Sequence, residues 1–163
     1  MALVATALLS WGCGGRDDRG PRVGDPAPSY TVSTLNGDSI SLADLRGEPV
    51  LLNFWATWCT PCKAETPFIE SLYREYGKRG VQVVGVSLDS PESGDEVRSW
   101  IRKMGVTYRI LRDGRQVALD RFSLVGIPAT YLLDADGTIR FARLGPVSPG
   151  DRDLKAALRD VVS

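Results

Sequence analysis

The sequence predicts an α/β fold, a central mixed β-sheet flanked by helices with a β-hairpin in front of it. Three observations predict this. Two nearly continuous apolar runs, Val50–Ala56 and Val81–Leu88, have the pattern of strands buried on both faces. Segments with apolar residues three and four apart alternate with these strand-like runs. Gly, Pro and Asn-Gly punctuation separates them at short intervals.

The elements follow in order. Tyr30–Ser33 and Ser39–Ser41 flank Leu35-Asn36-Gly37-Asp38, and Asn-Gly between strand-like runs predicts a hairpin. Ser41 to Arg46 reads as a short helical turn ending at Gly47. After the central strand a helix begins near Cys59, with Phe68, Leu72 and Tyr76 recurring every four residues beside Ile69 and Tyr73. Gly77 or Gly80 stops it, and Pro67 inside it is expected to bend it. A second helix follows Pro91, with Val97, Trp100, Ile101 and Met104 on one face and Gly105 at its end. Tyr108–Leu111 reads as a strand and Gln116–Phe122 as a short helix. Thr130–Leu133 and Ile139–Leu144 are strands joined by the turn Asp134-Ala135-Asp136-Gly137. The last helix is expected to open with Ser148 as N-cap and Pro149 in its first turn, burying Leu154, Leu158, Val161 and Val162. This alternation implies a helix-covered sheet with right-handed parallel connections and no second domain.

Composition narrows the function. The 163 residues are 43% hydrophobic and 25% charged, with 20 basic and 20 acidic side chains. A net charge of zero gives no field to steer the chain to nucleic acid or anionic lipid. There is no histidine, which excludes Ser-His and Cys-His nucleophile pairs and argues against imidazole-based metal or haem sites. The three cysteines, Cys13, Cys59 and Cys62, are too few for a secreted disulfide framework.

The N-terminal residues read as an address. Ala2–Leu9 is an apolar run too short to span a bilayer but suited to a secretory signal, although it lacks a basic n-region. Leu9-Ser10-Trp11-Gly12-Cys13 is similar to a degenerate bacterial lipobox, which makes Cys13 a candidate for lipid attachment. Gly14 to Pro28 is rich in Gly, Pro, Asp and Arg and reads as flexible spacer. The expected organisation is a leader over residues 1–13, a tether over 14–22 and a folded domain over 23–163.

The chemistry centres on Trp58-Cys59-Thr60-Pro61-Cys62-Lys63, at the junction of a buried strand and a helix. Cysteines three apart on a helix share a face and can bond. At the helix N-terminus Cys59 meets unpaired N–H groups and the positive end of the macrodipole, which favour a thiolate. Pro61 fits the first turn and stiffens the loop. Cys59 then attacks a disulfide, and Cys62 resolves the mixed disulfide. Zinc would need further ligands, and a disulfide closing so small a loop stabilises little.

This segment resembles the active site of the thioredoxin superfamily. The predicted hairpin, Leu45-Arg46-Gly47-Glu48-Pro49 and Phe54-Trp55-Ala56-Thr57-Trp58-Cys59 resemble its TlpA/ResA branch of bacterial extracytoplasmic reductases. The resemblance implies a thioredoxin-like fold, with the segment from Leu88 to Phe122 as that branch's central α/β insertion. It implies that Gly126-Ile127-Pro128-Ala129-Thr130 carries the cis-proline facing the Cys pair, where the main chain of Ile127 pairs with an extended substrate. It also implies a proton-relay glutamate at Glu65, three residues after Cys62. Burial would have to raise the pKa of Glu65 for that role. Asn53 stands where thioredoxin itself has a buried aspartate and cannot exchange protons. Trp58 lines the mouth of the site with Thr60 and Pro61, Trp55 either frames it or belongs to the core, and Lys63 reads as a surface residue.

The function this implies is disulfide reduction in exported proteins, such as clients of cytochrome c or copper-site assembly. It needs no cofactor and no metal, and a membrane thiol-reductant transporter would recharge it. The protein is expected to be a monomer that meets the membrane only through its N-terminal lipid. Two other classes compete with this reading. A peroxiredoxin-like thiol peroxidase shares the Val23-Gly24-Asp25-Pro26-Ala27-Pro28 opening, but Ala56 stands where its loop threonine should be. A non-enzymatic copper or redox-binding module would use a wider cysteine spacing and a histidine. The Thr-Pro dipeptide between the cysteines does not fix the direction of electron flow.

Overall fold

The computed structural model of the protein describes residues 20–163. The expected leader with Cys13, and most of the expected tether, lie outside the described residues. The strands are β1 (Thr31–Thr34), β2 (Ser39–Ser41), β3 (Val50–Trp55), β4 (Gln82–Ser87), β5 (Arg109–Arg112), β6 (Ala129–Leu133) and β7 (Ile139–Leu144). The helices are α1 (Thr60–Tyr76), α2 (Gly94–Met104), α3 (Val117–Arg121) and α4 (Arg152–Val161). They alternate in the predicted order and build one mixed seven-stranded sheet, β2-β1-β5-β4-β3-β6-β7. β3, β4 and β5 are parallel, and β1, β6 and β7 run against their neighbours.

β3 is an interior strand between β4 and β6, and every residue from Val50 to Trp55 is buried. The period-two alternation of a strand sends its side chains to opposite faces. Leu51 and Trp55 meet Ile69 and Leu72 of α1, Val97 and Trp100 of α2, and Leu154 and Leu158 of α4. Val50, Leu52 and Phe54 face the second layer, built from Tyr30, Leu45, Ala118 and Phe122. There Phe122 packs against Phe54, Tyr30 and Tyr131 at ring-centroid distances of 4.9, 5.4 and 5.0 Å.

Several boundaries differ from the sequence reading. α4 opens three residues later than expected, because Ser148 closes a turn, its carbonyl accepting from the Asp151 amide at 2.9 Å. Asp151 is the N-cap instead, its carboxylate accepting from Leu154 N at 3.2 Å. The helix expected after Pro91 is present, beginning at Gly94 because Ser90–Ser93 first forms a turn, and ending at Gly105. β5 starts at Arg109, the first residue in register with β4, so Tyr108 packs into the core outside the ladder. Both candidate stops of α1 are used. The helix ends at Tyr76 with Gly77 as cap, a 3-10 turn follows over Gly77–Arg79, and Gly80 closes it at φ 92°.

Candidate active site

The loop Ala56-Thr57-Trp58 carries the chain from the end of β3 to the N-terminus of α1. Cys59 is the N-cap, with its Sγ accepting from the Cys62 amide at 3.2 Å. Thr60 and Pro61 are exposed in the first turn and bring Cys62 beneath Cys59, with a Cα–Cα distance of 5.3 Å and a disulfide between them. The two sulfurs are not equivalent. Cys62 is fully buried, whereas Cys59 keeps 4% of its surface and lies at the mouth of the site.

Facing Cys59 is the segment that enters β6. The Ile127–Pro128 bond is cis, and the Ile127 carbonyl oxygen lies 3.8 Å from Cys59 Sγ. Gly145, just past β7, donates its N–H to the Pro128 carbonyl at 2.8 Å and holds this segment in place. Large apolar side chains are left in solvent on the segments that carry these groups: Trp58 at 66% exposure before Cys59, Val125 at 90% before Ile127, and half-exposed Leu144, which pairs with Ala129. Ile127 thus lies beside Cys59, whose chain neighbours Trp58, Thr60 and Pro61 are exposed, while Pro128 is buried. Lys63 is exposed. Trp55 belongs to the core, buried and stacked on Trp100 with ring centroids 4.1 Å apart.

On the inner side lies a buried polar network. Glu65 is one turn further along α1 than Cys62, on the same face. Its Oε1 accepts from Asn53 Nδ2 at 2.8 Å, and its Oε2 accepts from the Val147 amide at 2.9 Å. The second N–H of Asn53 reaches Thr130 Oγ1 at 3.0 Å. Burial pushes the pKa of Glu65 above the ordinary carboxylate range, and the bonds from Asn53 and Val147 pull it part of the way back. Glu65 therefore holds its proton to higher pH than an exposed glutamate.

Sequence reasoning found the Cys pair, Glu65 and Pro128 but missed the partners that hold them. Val147 lies 82 residues from Glu65, and only the fold joins them. Asp89, which binds Thr57, likewise gave no local signal beyond an acidic residue after a strand.

A sulfur at the surface end of the pair beside a main-chain carbonyl, with its partner sulfur fully buried on the helix face that also carries Glu65, is suited to passing a disulfide between two molecules. Fold and site together define a thiol–disulfide oxidoreductase of the thioredoxin-like class. The chain belongs to the AhpC/TSA family, whose family model matches residues 23–142. It is 36% identical over 140 residues to the thioredoxin-like protein YneN of Bacillus subtilis, covering 85% of this chain and 81% of that one. It is also 36% identical over 144 residues to the thiol-disulfide oxidoreductase ResA of Oceanobacillus iheyensis, covering 85% and 74% of the two chains. Among solved structures, the thioredoxin domain of a thiol-disulfide oxidoreductase from Bacteroides vulgatus superposes with a TM-score of 0.74 at 30% identity, over 87% of this chain and 99% of that one.

Proposed function

We propose that the protein is a bacterial extracytoplasmic reductant that opens disulfides in exported proteins, held at the membrane by a lipid on Cys13. The observation that carries the reading is the asymmetry of the sulfurs: Cys59 keeps 4% of its surface beside the Ile127 carbonyl, and Cys62 is fully buried one turn before Glu65, whose pKa burial raises. The Cys59 thiolate attacks one sulfur of the client disulfide, and the other leaves as a client thiolate that takes a proton from water. The rim of Trp58, Thr60, Pro61, Ile127 and Pro128 receives the extended client chain. Cys62 then gives its proton toward Glu65 and attacks Cys59 Sγ, which frees the reduced client and leaves the Cys59–Cys62 disulfide. Two electrons have passed to the client, and a membrane thiol-reductant transporter returns them. The apolar stretch before Cys13 and the Gly- and Pro-rich spacer after it support export and tethering. Clients in cytochrome c or copper-site assembly are what the resemblance to the TlpA/ResA branch implies.

The test is the reduction potential of the Cys59–Cys62 couple, equilibrated with glutathione or dithiothreitol and read by mass spectrometry after alkylation. A potential near or below about −230 mV fits a reductant, and one near about −120 mV would make the protein a disulfide donor instead.

A further inference from the structure

Asp89 is a buried acidic side chain with no part in the exchange chemistry. It lies two residues beyond the end of β4 and keeps only 3% of its surface. Its carboxyl oxygens collect hydrogen bonds from the loop in front of Cys59. The Thr57 amide donates to both oxygens at 3.2 and 3.1 Å, and the Thr57 hydroxyl donates to Oδ1 at 2.6 Å. Ser87 braces the arrangement: its hydroxyl donates to Oδ2 at 2.7 Å and accepts from the Asp89 amide at 3.2 Å. The other main-chain ties of this loop lie at its two ends, Leu88 N to the Trp55 carbonyl at 2.8 Å and Cys59 N to the Ala56 carbonyl at 3.1 Å.

We propose that Asp89 is a positioning residue for disulfide exchange: through Thr57 it fixes the loop that presents Trp58 and Cys59 to the incoming disulfide. Binding both the amide and the hydroxyl of one residue fixes its backbone and its side-chain rotamer together. Threonine is stiff at χ1, so little of that constraint is lost in side-chain motion. Thr57 is followed directly by Trp58, exposed at the rim, and then by Cys59. A shift at Thr57 passes along two residues to the attacking sulfur. Disulfide exchange needs three sulfurs close to a line, and misplacement by about 1 Å can cost up to about 100-fold in rate. The inference rests on exchange through Cys59 and holds for either direction of electron flow.

The test uses the full chain, with insulin as the disulfide probe and dithiothreitol as the recycling reductant. Three variants separate the role from simple stability. Thr57→Val keeps the shape and loses the hydroxyl bond. Thr57→Ser keeps that bond and serves as the rescue. Asp89→Asn keeps one acceptor oxygen but places an amide where the donors converge. The expected result is a fall in kcat/KM of about tenfold in Thr57→Val and Asp89→Asn, with Thr57→Ser within about twofold of the parent. Alkylation of reduced Cys59 by iodoacetamide at pH 7 should stay within about twofold in every variant, because a small reagent needs no presenting loop. The positioning role is overturned if Thr57→Val keeps its kcat/KM, or if alkylation falls in parallel with insulin reduction. A parent protein that leaves insulin disulfides intact would overturn the exchange chemistry at Cys59, and this role with it.

Discussion

Replacing Glu65 with glutamine separates the ionisation of this buried group from its packing. The introduced amide can keep an oxygen on the Val147 N–H, while its nitrogen donates to Asn53 once the Asn53 amide flips. The Asn53 oxygen then also accepts from the Thr130 hydroxyl, so the number of bonds in the network is preserved. What disappears is a carboxyl group whose pKa burial has raised from its ordinary 4.5, against the pull of Asn53 and Val147. Above the unfolded value, and until the folded value is passed, the native protein holds a proton that the unfolded chain has released. Its stability is complete below the unfolded pKa and falls as pH rises, by up to about 1.4 kcal/mol per pH unit. The neutral glutamine of the variant has no such loss. Urea unfolding of both proteins, with the disulfide intact, from pH 4 to 8 should show Glu65→Gln gaining stability relative to the parent from about pH 4.5 upward, then levelling off. A difference that is flat across this range, or that shrinks with rising pH, would refute the reasoning.

Three further outcomes follow from the same structure. Glu70 should behave in the opposite sense. Burial works against its charge, but the Thr107 hydroxyl and amide and the Arg74 guanidinium outweigh it and lower its pKa. Glu70→Gln should therefore be less stable than the parent at neutral pH, and urea titrations should show that gap closing as pH falls below about 4.5. Trp100→Ala removes the partner of Trp55 and should cost about 3–5 kcal/mol in urea unfolding. Trp100→Phe should cost clearly less, since it loses the same buried indole N–H, which has no hydrogen-bond partner among the described residues, but keeps an aromatic ring against Trp55. In Gly85→Ala the new Cβ would lie 2.8 Å from Ile110 Cδ1 and 3.0 Å from both Trp55 Nε1 and Tyr108 Cε2. Thermal and urea unfolding should show a loss of about 1–3 kcal/mol, and no loss would contradict the tight packing behind β4.

The fold was legible where local pattern and global burial agree. Val50–Trp55 reads as a central strand because a strand covered on both faces has no polar alternation, and Asn53, its polar exception, is the residue that holds Glu65. The Cys pair was legible because strand, loop and helix start lie within a short stretch of sequence. The end of the chain was read less well. Ser148-Pro149 carries a helix-start signal, yet Asp151 takes the cap, because a turn at Ser148–Asp151 uses the earlier residues first. Asn53 apart, the partners of the site were not legible. The Glu65–Val147, Trp55–Trp100 and Thr57–Asp89 contacts join distant elements, and no local spacing encodes which elements the sheet order brings together.

The measurement that bears most directly on exchange through an attacking Cys59 and a resolving Cys62 is trapping of the mixed disulfide. Reduced Cys62→Ser and Cys59→Ser proteins are each mixed with a peptide disulfide, quenched with acid and weighed by mass spectrometry. With Cys13 also replaced by serine in both proteins, Cys62→Ser should accumulate a covalent adduct through Cys59, while Cys59→Ser, whose remaining thiol at Cys62 is fully buried, should stay unmodified. Adduct formation by Cys59→Ser at a comparable rate, or none by Cys62→Ser, would contradict an attacking Cys59 and a resolving Cys62.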